Sequence, residues 1–250
     1  MGLDPDMAGA LAAEHDAFGA LLSGLGDDDW RAPTRCAGWD VADVVVHVSQ
    51  SDELAVASLT GRLDAVVGAF RASGSVDDAA DAMVREAQGL PPAQIRERWL
   101  ARSTELRRMI VADDDRRRVP WVVGDLSVRT LAATRVAEAW IHGGDIADAL
   151  DIDVAPTERL RHVARLAWRT LPYAFARAGR ALSGPVRFVL RGPTGTTWEF
   201  TPDDPPASTI RGDGHELCLV AARRVAPGET SLRGEGPDAE AVLSLVRTYA

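Results

Sequence analysis

Glu138, His142 and Asp145 stand at i, i+4 and i+7 of one apolar-periodic segment, so a helix there carries all three ionisable groups on a single stripe. Adjacent turns can then offer a carboxylate and an imidazole to one cation. A further nitrogen ligand from a facing helix would complete a two-histidine, one-carboxylate set with positions left for water or substrate. Such a set suits zinc and other borderline divalent ions. Of the five histidines, His47 is the natural partner: it adjoins the stripe Val41, Val44, Val45 and Val48, and its imidazole should lie near a bundle interior rather than in water. A glutamate and a histidine four apart also make an ordinary surface ion pair worth about 0.2–0.5 kcal/mol, and EAWIH lacks the specificity of HExxH. Asp145 can orient His142, cap the helix or form a helix ion pair. His15 falls within an amphipathic segment and is expected to be solvated or satisfied; His162 and His215 show no partner pattern.

These groups need helices to hold them. Leu11, Phe18, Leu21, Leu22 and Leu25 predict a first helix over residues 6–25, and residues 30–39, with Pro33, Gly38 and a tryptophan at each end, read as a loop. Asp40, with Asp43 in the first turn, caps the helix bearing His47. Ile95, Trp99, Leu106, Met109 and Ile110 predict a helix from Pro92 to near Asp113, followed by an exposed acidic and basic connection. Ser127 caps the helix over 128–150, and another is expected over 156–178. After Gly184 and Pro185 the period changes to two. VRFVLR and TTWEF read as a hairpin, STIRG and TSLRGEG as further strands, and ELCLVAARR and PDAEAVLSLVRTY as helices. The expected class is α+β, with a helical bundle over residues 1–180 and a small α+β domain over 185–250.

Composition narrows the function. The net charge of −9, and the cancellation of Arg116, Arg117 and Arg118 by Asp113, Asp114 and Asp115, argue against a nucleic-acid surface. All 28 basic side chains are arginine, which excludes Schiff-base chemistry and a Walker A phosphate loop, since both need a lysine amine. Cys36 and Cys218 alone make neither a disulfide framework nor a CxxC pair. With no apolar segment approaching the roughly 20 residues of a membrane span, and no basic and apolar leader in MGLDPDMAGALAAEHDAF, a cytoplasmic location is expected.

Residues 30–48, WRAPTRCAGWDVADVVVHV, resemble the N-terminal signature of the DinB-like, mycothiol-dependent maleylpyruvate isomerase family. In that family a tryptophan, a Pro-Thr, a Cys-x-Gly-Trp and a helix ending in a metal-ligand histidine occur in this order. Residues 135–150, RVAEAWIHGGDIADAL, resemble the second signature, which supplies a glutamate and a second histidine. The resemblance implies a DinB-like up-down four-helix core, with His47, Glu138 and His142 as metal ligands. It also implies a C-terminal domain similar in shape to sterol carrier protein folds, and it places an active-site arginine at Arg223, with Arg224 the next match. With a thiol implied, Asp145 is expected either to orient His142 or to contact that thiol.

On this resemblance the chain is expected to be a metalloenzyme using a divalent ion, Zn2+ before Ni2+ or another, with mycothiol as cosubstrate. It would act as an isomerase or S-transferase on a small electrophilic molecule, as a monomer or homodimer with no nucleic-acid partner. Two other readings remain: a noncatalytic small-molecule-binding protein with a structural or vestigial metal, and a metal-dependent hydrolase.

Overall fold

The computed structural model describes residues 2–68, 76–122 and 124–248. The chain divides into two compact units, Met1–Val154 and Ala155–Ala250, and its class is α+β, as expected. The first unit holds α1 (Pro5–Ser23), α2 (Val41–Leu59), the short α3 (Leu63–Val67), α4 (Val76–Glu86), α5 (Pro92–Ala112), strands β1 (Arg118–Val119) and β2 (Leu126–Ser127), and α6 (Val128–Ala149). Four helices form its core: α2 packs against α5 and α6, and α1 packs against the same two.

Local chemistry sets where the two site-bearing helices begin. Asp40 and Asp43 form a reciprocal capping box at α2, with Asp43 N donating to Asp40 Oδ1 at 2.9 Å and Asp40 N to Asp43 Oδ2 at 3.3 Å. At α6 the Ser127 hydroxyl accepts from Thr130 N at 3.1 Å. Rotation about each helix axis is then set by burial. Val41, Val44, Val45 and Val48 of α2 and Val128, Leu131, Val136 and Ile146 of α6 are all sealed from solvent. Each such side chain contributes about 1.5–3 kcal/mol of transfer free energy, so turning either helix would cost several of these at once. Gly143 permits the close contact of α6 with α1, since a Cβ there would meet Phe18 Cδ2 at 3.3 Å.

The connection after α5 is not wholly irregular. Strands β1 and β2 pair antiparallel with Arg118 opposite Ser127 and Val119 opposite Leu126. Two-residue strands are too short to show a period, which is why residue patterning reads this stretch only as a loop.

The second unit contains α7 (Leu160–Arg169), α8 (Leu171–Arg177), β3 (Val186–Arg191), β4 (Thr197–Phe200), β5 (Ser208–Asp213), α9 (Gly214–Ala221), β6 (Arg233–Glu235) and α10 (Ala239–Leu245). The sheet order is β4-β3-β5-β6, antiparallel at both edges and parallel between β3 and β5, where Val186 faces Ser208. The single helix expected over 156–178 is two. Pro172 has no N–H to donate and its ring collides with the carbonyl four residues back, so α7 stops and α8 restarts with the proline in its first turn. Both helices cluster with the sheet rather than with the bundle, which puts the division near residue 155 instead of 180–185. The apolar face of α7 (Leu160, Val163, Ala164, Ala167) is buried, α7 packs on α9 and β4, and Trp168 Nε1 donates to Val186 O at 2.7 Å. The closing helix ends at Leu245; Tyr249, included in the expected helix, lies outside the described residues.

Candidate metal centre

His47 reaches the site from α2; Glu138 and His142 reach it from successive turns of α6. Glu138 Oε2 is 3.4 Å from His47 Nε2 and 3.5 Å from His142 Nε2, and the three donor atoms all lie within 4.8 Å of one another. Two ligand atoms at roughly 2.1 Å from a tetrahedral ion are about 3.4 Å apart, so both edges that meet at Glu138 have the length such an ion requires. The imidazole rings stand 4.8 Å apart and nearly perpendicular, at 77°. Donor type and spacing therefore fit a divalent ion. The His47, Glu138 and His142 side chains retain 21%, 19% and 11% of their surface exposed, so the set is largely but not wholly closed to solvent.

The far side of His142 is closed. Its Nδ1 lies 3.0 Å from Asp145 Oδ2, and Cys36 Sγ donates to the same oxygen at 3.4 Å. With Nδ1 carrying the hydrogen toward Asp145, the Nε2 lone pair is left facing Glu138, the arrangement in which a carboxylate orients a metal-binding histidine. Cys36, His142 and Asp145 also form a second trio of ligand types, but their contacts converge on one carboxylate oxygen at hydrogen-bond distances. Trp39 packs against His47 with ring centroids 5.0 Å apart, and its Nε1 donates to Asp81 Oδ1 at 2.9 Å.

Without an ion, the charges organise around protons. Burial pushes the Glu138 carboxyl up, but contacts from His142 and His47 and the Arg135 charge outweigh it and hold the group well below the usual range. Burial pushes His142 down, and Asp145, Cys36 and Glu138 reverse this, leaving its pKa well above the ordinary histidine value. His47 is shifted down, chiefly by burial. A proton on His142 thus occupies the place of the positive charge that the carboxylates attract.

Arg223 and Arg224 belong to the second unit, just past α9. Arg223 adopts φ 62°, its Nη1 donates to Ser244 O at 3.2 Å, and Arg224 Nη1 donates to Ala222 O at 2.7 Å. Both guanidinium groups serve carbonyls at helix ends. Helical spacing alone did not single out two other features. Arg135, one turn before Glu138, is buried beside it; its i−3 spacing gives the shared helix face but not the burial. His15 is buried rather than solvated, 2% exposed, and neither of its ring nitrogens has a hydrogen-bond partner among the described residues.

Residues 11–147 match the protein family described as "Mycothiol maleylpyruvate isomerase N-terminal domain". Uncharacterized proteins from two strains of Mycobacterium tuberculosis are 31% identical over 245 residues, which cover 96% of this chain and 93% of theirs. Crystal structures of the mycothiol-dependent maleylpyruvate isomerase and of one of its mutants share the fold, with TM-scores of 0.62 and 0.61. Each is 16% identical, and the similarity covers 93% of this chain and 94% of theirs.

Proposed function

The chain belongs to the mycothiol maleylpyruvate isomerase N-terminal domain family, and from that premise we propose that it is a metal- and mycothiol-dependent enzyme. In this reading it adds the thiol to a small electrophilic molecule, either releasing it again as an isomerase or retaining it as an S-transferase. The observation that carries the reading is the convergence of the partly exposed His47, Glu138 and His142, with ligand spacings suited to one divalent ion. A bound Zn2+ or comparable ion (Ni2+ among them) would supply Lewis acidity that favours the thiolate form of the cosubstrate near neutral pH.

This chain's residues prepare the site for that task. His47 and His142 offer imidazole lone pairs, and Glu138, kept ionised by its neighbours, offers the negative charge. Asp145 keeps the Nδ1 hydrogen of His142 on the side away from Glu138 and so holds the ring in place. Asp145 is engaged by both His142 and Cys36 instead of standing ready as a general base, which favours thiol chemistry over water activation. Trp39 covers one face of His47. Arg223, with Arg224 as the alternative, is assigned on family resemblance as the cation for a carboxylate of thiol or substrate. A cytoplasmic location accords with this use of a low-molecular-weight thiol, and no helix among the described residues is long and apolar enough to cross a membrane.

The test is a calorimetric titration of mycothiol into Zn2+-loaded protein, beside metal analysis of the His47→Ala and Glu138→Ala variants. One equivalent of metal in the parent, loss of it in both variants and saturable thiol binding only to the loaded parent are expected. Unchanged metal content in the variants would overturn the site, and a loaded parent that binds no mycothiol would overturn the thiol reading.

A further inference from the structure

Arg135 is a buried cation in a helical core, 3% exposed, one turn before Glu138 on α6. Removing a guanidinium from water is strongly unfavourable unless an anion and good hydrogen bonds compensate. Three contacts hold it, and its charge also reaches the buried His15 and Asp52. Nη2 lies 3.8 Å from Glu138 Oε1, Nε donates to the Thr134 hydroxyl at 3.2 Å, and the guanidinium lies over the Trp121 ring at 5.1 Å. Nη1 is buried with no hydrogen-bond partner among the described residues. A core arginine satisfied this incompletely is poorly accounted for by stability alone.

The two oxygens of Glu138 divide between two tasks. Oε1 faces Arg135, while Oε2 faces both His47 and His142. The terminal torsion of a glutamate is broad and two-fold, so an unrestrained carboxylate could swing both oxygens toward an ion. We propose that Arg135 is the positioning residue of Glu138: it holds one carboxylate oxygen and leaves the other as a single donor shared with the two imidazoles. The cation–π contact with Trp121 and the Thr134 bond restrain the guanidinium, a restraint that the flexible point charge of lysine does not reproduce. The proposal rests on the reading of Glu138 as a metal ligand and assigns Arg135 no contact with the ion or the thiol.

The experiment compares the parent with Arg135→Met, Arg135→Lys and His47→Ala, measuring Zn2+ affinity by chelator competition and the visible absorption bands of the Co2+-substituted protein. Both Arg135 variants should bind one equivalent of Zn2+ about 10–100-fold more weakly. Their Co2+ bands should shift as the carboxylate changes its mode of binding, with Arg135→Lys between Arg135→Met and the parent. Should Arg135→Met fail to fold, Arg135→Lys carries the test, with the thermal midpoint of its metal-free form showing that the fold is kept. Parent-like affinity and unshifted Co2+ bands in the Arg135 variants, with metal lost in His47→Ala, would overturn the positioning role and leave the metal site standing. Metal retained in His47→Ala would overturn the site reading and this proposal with it.

Discussion

At the scale of single residues, His15 of α1 and Asp52 of α2 face each other inside the bundle, Nε2 to Oδ2 at 3.9 Å, 2% and 1% exposed. Burial drives His15 down to about 3, with the Arg107 and Arg135 charges adding to it, and drives Asp52 up to about 7, with Arg135 opposing and Glu138 adding. The pair is therefore neutral at moderate pH, and each member has its own dependence. As pH falls from the ordinary histidine value of 6.5 toward 3, unfolded chains take up a proton that folded His15 refuses, so stability declines toward acid. As pH rises from 3.8 toward 7, unfolded chains release a proton that folded Asp52 keeps, so stability declines toward base. The two slopes, each up to about 1.4 kcal/mol per pH unit, oppose each other where the windows overlap. Urea midpoints across pH 4–7 should fall toward acid in Asp52→Asn and toward base in His15→Gln, with the parent flatter than either; identical slopes in all three would refute the pairing. None of this was legible in the chain. His15 has the neighbours of any amphipathic-helix histidine, and only the packing of α1 on α5 and α6 shows that its face is turned inward. The clustering of the candidate ligands was legible in part, because the i, i+4 relation of Glu138 and His142 is a property of the helix itself.

At the scale of elements, the starts of α2 and α6 were readable because a cap is a local contract between a side chain and the backbone two or three residues on. Replacing Asp40 by alanine should remove about 1 kcal/mol of stability, measured by chemical denaturation. Zn2+ stoichiometry should be unchanged, because the valine stripe and not the cap sets the rotation that aims His47. A loss of metal in that variant would show that the capping box positions the ligand. The elements that escaped prediction did so for different reasons, and they include α3 and α4, which lie in the stretch before Pro91 that reads as less regular. Strands β1 and β2 are two residues each, and the break between α7 and α8 turns on one proline inside an otherwise continuous helical pattern.

At the scale of the molecule, His47, Glu138 and His142, the three proposed ligands, lie in the first unit, Met1–Val154. Metal should therefore stabilise that unit selectively, by about 2.7 kcal/mol at a free concentration one hundred times the Kd. Scanning calorimetry with Zn2+ should raise the melting of the first unit and leave that of the second in place, and a chelator should reverse the change; equal movement of both would tie the units into one cooperative block. The amino-acid sequence by itself determined the kinds and order of most elements, the α+β class and the candidate ligand types on α2 and α6, because propensity, capping and periodicity act over a few residues. Tertiary structure alone decided the burial of Arg135 beside Glu138, the neutral His15 and Asp52 pair, the parallel pairing of β3 with β5 and the grouping of α7 and α8 with the sheet. The physical reason is that a periodic pattern states which face of an element avoids water but not which distant face will cover it.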